Sequence, residues 1–181
     1  MQPAHALKRY TDALRAIQAQ AQATDELSYH HALLQLLREL DPNAEFIHEP
    51  KRVVVGRPDF VLLKDGAPAG YIEAEAFNAD LDRLSGHAKA QTDAFKQNLD
   101  NFLLTNFVEF RLYRAGECVM EATLRSTDSP VRAEIHTDTN ARATQGLDRT
   151  VQATDLLLTF LSAQPLPIRT PHELALHLAR R

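Results

Sequence analysis

Two carboxylates at alternate positions of one hydrophobic segment are the residues of this sequence best suited to chemistry. Glu73 and Glu75 flank Ala74, and Asp59 opens the preceding apolar run. Because side chains alternate along a strand, Glu73 and Glu75 are expected on one face, roughly 7 Å apart. Like charges this close oppose folding unless a cation joins them. Carboxylates with a backbone carbonyl between them suit a hard divalent metal, and Mg²⁺ is favoured over Zn²⁺ because no Cys or His accompanies them.

Turn and edge-strand chemistry offers a second interpretation of the same acids. Asp59 follows Pro58 and could belong to a turn, while the two glutamates could line the solvent face of an edge strand. The spacing alone leaves metal binding and simple surface exposure both open.

The segment that must position these acids runs from residue 56 to residue 75 and predicts a β-hairpin. Apolar runs at 60–63 and 71–72 flank the turn signal Lys64-Asp65-Gly66. Both runs are apolar enough to predict strands that are buried on both faces. If Asp59 points to the same side as the two glutamates, the hairpin brings the three acids together.

This pattern resembles the PD-(D/E)xK nuclease superfamily, whose motif is Pro-Asp, a spacer, then Asp or Glu, any residue, and Lys. Pro58-Asp59 and Glu73-Ala74-Glu75 match it, with Glu75 where Lys is usual. Over most of its length the chain also looks like the N-terminal nuclease domain of single-chain restriction–modification enzymes of types ISP and IIG. The segments that carry this wider resemblance are 56–60, 71–74, 101–106 and 109–113.

The resemblance implies hydrolysis of DNA phosphodiester bonds with Mg²⁺, for which Mn²⁺ is expected to substitute. The implied ligands are Asp59, Glu73 and the carbonyl of Ala74. Some superfamily members add a Glu from the first core helix, and Glu26 is the best match here, although a Glu at this position also favours a helix N-terminus through the dipole. The expected partners are DNA and a covalently linked methyltransferase and specificity region, or a partner subunit.

Three outcomes are open for Glu75, which replaces a positive charge with a negative one. In the first, Glu75 acts as an added metal ligand or as a base for water. In the second, Lys89 from the following helix restores the positive charge. In the third, the site is inactive and the domain docks on DNA or on a protein. Gln91, followed four residues later by Phe95, resembles a Gln-x-x-x-aromatic step that often lies beside the metal site in this superfamily. An ordinary boundary glutamine is the other interpretation of Gln91.

Composition limits the function classes. The chain has 181 residues, enough for one domain, with 44% hydrophobic residues and a net charge of −4 that argues against tight nonspecific nucleic-acid binding by this domain alone. A single cysteine, Cys118, excludes an internal disulfide framework and is expected to pack in a strand core. No apolar segment approaches membrane-spanning length and no signal peptide is evident, so we expect a cytoplasmic protein. A local basic rim could contact DNA, although each of its members could equally be a surface cation: Lys51, Arg52, Arg57, Lys89 and Lys96.

The hydrophobic pattern predicts an α/β domain with a mixed central β-sheet flanked by helices, which is the restriction-endonuclease-like core that the resemblance implies. We expect the nuclease-like domain to cover 1–164, with a linker and the start of a connecting helix at 165–181. The predicted helices are 4–23, 24–40, 86–98 and 147–161. The predicted strands beyond the hairpin are 44–48, 52–55, 102–105, 108–114 and 118–124, with a long loop at 125–148 that could contain a short strand at 131–136.

Overall fold

The computed structural model describes residues 3–19, 26–50, 56–124 and 139–165, which form one mixed sheet and its flanking helices. The helices are α1 (Pro3–Ala19), α2 (Glu26–Leu40), α3 (Gly86–Asn98) and α4 (Thr139–Leu161). The strands are β1 (Glu45–His48), β2 (Phe60–Lys64), β3 (Ala67–Ala74), β4 (Phe102–Thr105), β5 (Glu109–Arg114) and β6 (Glu117–Thr123).

The sheet has six strands arranged in chain order, from β1 at one edge to β6 at the other. All neighbouring pairs are antiparallel except β3 and β4, which run parallel. Parallel neighbours need a long crossover connection, and the segment containing α3 supplies it. The predicted class, a mixed α/β sheet flanked by helices, is confirmed.

Tight turns connect β2 to β3 and β5 to β6. Asp65 and Gly66 have φ values of 51° and 73°, and Ala115 and Gly116 have values of 48° and 89°. Two successive residues with positive φ are the mark of the type I′ turn, whose twist matches that of the strands it joins. The first of these turns and the register shift between Leu62 and Leu63 together set the β2–β3 register on which the candidate site depends.

The sheet separates two hydrophobic cores. Helices α1, α2 and α4 cover one face, where their apolar side chains pack on Phe60 and Leu62 of β2. Helix α3 covers the other face, where Phe95 packs in a core that includes Val61 and Leu63. Strand β2 is therefore buried on both faces, as its apolar run predicts.

Two sequence-based expectations are wrong. Cys118 is exposed rather than packed in a core, because β6 is an edge strand whose first residues are left uncovered. Helix α4 begins at Thr139 within the predicted loop, because the polar composition of its first turns resembles a loop while the apolar residues near its C-terminus anchor it. Expectations for 20–25, 52–55, 131–136 and 166–181 fall outside the described residues.

Asn101 ties the sheet to α4. This fully buried side chain donates through Nδ2 to the carbonyl of Ala69, at 2.7 Å, and to the carbonyl of Phe160, at 3.1 Å. Gly70 lies directly against this junction, since a Cβ added there would be 2.5 Å from Asn101 Nδ2 and 2.7 Å from the Phe160 ring. The start of β3, the start of β4 and the end of α4 thus meet at one point where only a glycine fits.

We predict that Gly70→Ala lowers the free energy of unfolding by about 2 kcal/mol, because the added methyl overpacks the Asn101–Phe160 junction. Gly66→Ala is the control: its φ of 73° opposes a side chain but nothing lies within 4 Å of the added Cβ. The control should lose only about 1 kcal/mol. Urea unfolding monitored by circular dichroism measures both, and an equal or smaller loss at Gly70 would contradict the packing argument.

Candidate active site

Asp59 and Glu73 are neighbours across the β2–β3 hairpin. Phe60 pairs with Ile72, so the antiparallel register brings the preceding Asp59 opposite Glu73. Asp59 Oδ2 accepts a hydrogen bond from the backbone N–H of Ala74 at 2.8 Å. Because this bond crosses from one strand to the next, the register of the hairpin also sets the orientation of the Asp59 carboxylate.

The two glutamates face α3. Tyr71 belongs to the core beneath α3 and Ile72 belongs to the core on the opposite face. Strand alternation therefore brings Glu73 and Glu75 to the α3 side, where both are half-buried. The backbone N–H of Glu75 donates to the carbonyl of Thr105 at 2.8 Å, which continues the β3–β4 pairing to this residue.

Gln91 joins three elements of the site. Its Nε2 donates to Glu73 Oε1 at 2.9 Å and to the carbonyl of Arg57 at 3.2 Å. A half-buried amide needs such partners, and these two bonds hold the Glu73 carboxylate, the chain before β2 and helix α3 together. The structure thus brings Gln91 directly beside one of the predicted metal ligands.

Thr92 is a site residue that sequence reasoning missed. Its hydroxyl, in a side chain that is only 1% exposed, donates to Glu75 Oε1 at 3.4 Å. Successive residues of α3 therefore contact the two glutamates, Gln91 binding Glu73 and Thr92 binding Glu75. The available signal was a threonine on the buried face of a predicted helix, since a buried hydroxyl needs an acceptor.

The segment before Asp59 contacts α3 at Gly56 and Arg57. A Cβ at Gly56, whose φ is 153°, would be 2.9 Å from the ring of Phe95. Pro58 is buried, and the carbonyl of Arg57 between them accepts the bond from Gln91. The backbone that leads into Asp59 is therefore fixed at three consecutive positions.

The connection between β3 and α3 is anchored to the sheet by two polar side chains. Arg111, only 14% exposed, pairs with Asp82 at 2.6 Å and with Glu109 at 2.5 Å. The hydrogen bond from its guanidinium lowers the pKa of Asp82 below its usual range. Asn106 Nδ2 donates to the carbonyl of Ala79 at 2.6 Å. These contacts fix the path of the chain between Glu75 and Gln91.

The cations predicted near the site have different surroundings. Lys89 forms an exposed ion pair with Asp93, and this contact lowers the pKa of Asp93. Lys96 lies 4.8 Å from the centre of the Tyr113 ring. Arg57 is exposed, and among the described residues its guanidinium has no acidic partner. In the described contacts Lys89 is thus directed to Asp93 rather than to the glutamates, while Lys51 and Arg52 fall outside the described residues.

The oxygen atoms at the site suit a hard cation without forming a closed cage. Among the described residues, no group of three or more His, Cys, Asp or Glu side chains is arranged to hold a metal ion. The predicted set of Asp59, Glu73 and the carbonyl of Ala74 has only two acidic side chains, and the side chain of Glu26 lies outside the described part of the chain. Mg²⁺ commonly binds through one or two carboxylates and keeps several waters, so a pair of this kind fits it.

The helices and the mixed sheet define an α/β fold with one helical layer on each face. Among solved structures, a chain in the cryo-EM structure of a DrdV–DNA complex is similar, with a TM-score of 0.63 and 20% identity. The match covers 90% of this chain and 99% of that chain, and at this identity the similarity is one of fold. No family model and no curated protein matches the chain. None of the described helices is long and apolar enough to cross a membrane.

We predict that Gln91→Ala weakens Mn²⁺ binding by about 10-fold, because Glu73 loses the bond that orients its carboxylate. Gln97→Ala is a matched control, since Gln97 is exposed near the end of the same helix. Isothermal titration calorimetry with Mn²⁺ on both variants measures the effect. Equal affinities in the two variants would show that the Gln91 bond does not support a metal ligand.

Proposed function

We propose that this domain hydrolyses phosphodiester bonds of DNA with the help of a divalent metal ion, as the nuclease domain of a restriction–modification system. The observation that carries the proposal is the β2–β3 register, which brings Asp59 opposite Glu73, together with the bond from Gln91 to Glu73. The order Pro-Asp, then Glu-x-Glu on the next strand, supports it. The similarity in fold to a chain from a DNA complex supports it further.

In this proposal Asp59, Glu73 and the carbonyl of Ala74 hold Mg²⁺, or Mn²⁺ in its place. The bound cation lowers the pKa of a water and neutralises charge that builds on the phosphate. The protein contributes pre-set geometry: Ala74 N–H orients Asp59, and Gln91 orients Glu73. Ligands held in advance need no reorganisation when the substrate binds, which is the main source of catalysis in such sites.

Glu75 is the proposed base. The oxygen of the attacking water bonds to phosphorus, the bond from phosphorus to the leaving oxygen breaks, the water proton passes to Glu75, and the leaving oxygen takes a proton from solvent. The bond from Thr92 supports this role, because it directs the Glu75 carboxylate toward α3, on the side where Gln91 contacts Glu73. A carboxylate that is oriented beside the water can act in this way without a lysine at its position.

The acidic net charge is consistent with a domain that relies on a larger assembly for DNA affinity. At −4, this domain carries too little positive charge to hold duplex DNA tightly by phosphate neutralisation. We therefore propose that a covalently linked methyltransferase and specificity region, or a partner subunit, supplies the DNA affinity and the sequence recognition. We propose that the protein acts in the cytoplasm. The nuclease domain then needs only local contacts to the phosphate that it cleaves.

A catalytically inactive docking module is the second candidate. The observation that favours it is the acidic residue at position 75 together with the pairing of Lys89 with Asp93, which directs the predicted replacement lysine to Asp93. A docking module would bind duplex DNA or a protein without any dependence on metal. Binding measured with and without Mg²⁺ over a range of salt concentrations separates the two candidates.

We predict that the purified protein nicks or cuts supercoiled plasmid when Mg²⁺ or Mn²⁺ is added, and not in the presence of a chelator. Asp59→Asn and Glu73→Gln should each lower the rate by about 100-fold or more, because each removes a charge from the pair that holds the metal. Glu117→Gln, an exposed acid on β6, is the control. Cleavage that persists in both site variants would place the activity elsewhere in the preparation.

We predict that Glu75→Gln lowers cleavage by about 100-fold while Mn²⁺ affinity changes little, because the base is lost and the metal ligands remain. Calorimetry with Mn²⁺ and single-turnover cleavage measure the two effects separately. An inactive wild-type protein that gains cleavage in Glu75→Lys would favour an inactivated site. The absence of metal binding, of cleavage and of rescue by Glu75→Lys would rule out the enzyme.

A further inference from the structure

The backbone around Arg57 is held by several contacts, although the side chain of Arg57 is exposed. Gly56 packs against Phe95, Pro58 is buried, and Gln91 binds the carbonyl of Arg57 itself. Gln91 also binds Glu73, so one amide group connects the main chain of Arg57 to a predicted metal ligand. Arg57 is therefore fixed at the site through its backbone while its side chain extends into solvent.

The other described cations near the site are already engaged. Arg111 is bonded to Asp82 and Glu109, Lys89 pairs with Asp93, and Lys96 lies over Tyr113. Arg57 differs because the described part of the chain provides no acidic partner for its guanidinium. As far as the described residues show, its charge is thus available for a ligand without the loss of an existing ion pair.

We propose that Arg57 is the phosphate-binding cation of this site, and this rests on the nuclease function proposed above. Its guanidinium binds the nonbridging oxygens of the phosphodiester that lies beside Asp59 and Glu73. This contact supplies the positive charge that Glu75 does not provide. A planar guanidinium suits the role because it can bond two phosphate oxygens at once, which a lysine ammonium cannot do in the same geometry.

The proposal explains how a site rich in carboxylates can accept a phosphate. Asp59, Glu73 and Glu75 repel an anion, and one divalent cation offsets only part of their charge. When a phosphoryl group is transferred, the negative charge on its nonbridging oxygens must be stabilised. An arginine that binds these oxygens can raise the reaction rate by several orders of magnitude. A fixed backbone lets Arg57 make this contact with less loss of conformational freedom.

The test compares Arg57→Ala and Arg57→Lys with Arg15→Ala. Arg15 is an exposed arginine on α1, which packs on the opposite face of the sheet, so its removal makes the same change in net charge away from the site. Three quantities are measured for each protein: Mn²⁺ affinity by calorimetry, single-turnover cleavage in Mg²⁺, and binding to a fluorescent duplex at several salt concentrations in chelator.

We expect Arg57→Ala to cleave about 100-fold more slowly, with Arg57→Lys intermediate and Arg15→Ala unchanged. Mn²⁺ affinity should stay within about 3-fold of the wild-type value, which separates phosphate binding from a structural effect on the ligands. The slope of log affinity against log salt should become shallower by about 0.9 in Arg57→Ala, as expected for one lost phosphate contact.

Two results would overturn the assignment of Arg57: an unchanged salt slope and rate in Arg57→Ala, or an equal loss in Arg15→Ala. The failure of the nuclease function itself is distinguishable. If the wild-type protein binds Mn²⁺ and DNA but does not cleave, the endonuclease proposal fails, and the salt slope alone decides whether Arg57 contacts phosphate.

Discussion

The burial of the β2–β3 hairpin on both faces is the constraint on which the candidate site depends. Phe60 and Val61 are adjacent in sequence but lie in different hydrophobic cores, so a one-residue slip of β2 would exchange its two apolar faces. The same register sets Asp59 opposite Glu73 and lets Asp59 accept a bond from Ala74. Hydrophobic burial thus supplies free energy that offsets the repulsion between the two like charges, and the hydrogen bonds from Ala74 and Gln91 to the carboxylates add to it.

The parallel pairing of β3 with β4 adds the second half of the site. Two parallel strands need a crossover, and the crossover brings α3 over the face to which Glu73 and Glu75 point. Gln91 and Thr92 then contact the two glutamates from one turn of helix. Arg111 and Asn106 anchor the connection before α3, so the position of the helix is set by the sheet rather than by a free loop. The site is therefore a product of topology as much as of the acidic motif.

Local patterns in the sequence were sufficient for the parts of the fold that have one dominant signal. The hairpin followed from two apolar runs and a turn, and α3 has the predicted bounds, 86–98. A threonine on the buried face of a predicted helix indicates that Thr92 needs an acceptor, but the contact of Thr92 with Glu75 and that of Gln91 with the carbonyl of Arg57 depend on how α3 sits across the sheet. The exposure of Cys118 depends on which strand forms the sheet edge, and that is also a tertiary property. The start of α4 was missed because tertiary packing of its last turns, not local propensity, determines that the segment is helical.

Which side chain supplies the positive charge at the site depends more on how each candidate cation is held than on how close it lies. The Lys89–Asp93 pair is exposed, and pairs of this kind contribute no more than about 1 kcal/mol, so breaking it would not prevent Lys89 from moving toward the glutamates. The side chains of Lys89 and Arg57 are both long and exposed, so ordering either one costs a similar side-chain entropy. The planar guanidinium of Arg57 can make two bonds to a phosphate for that cost, which favours the proposed replacement of the missing lysine from the chain before β2 over one from α3.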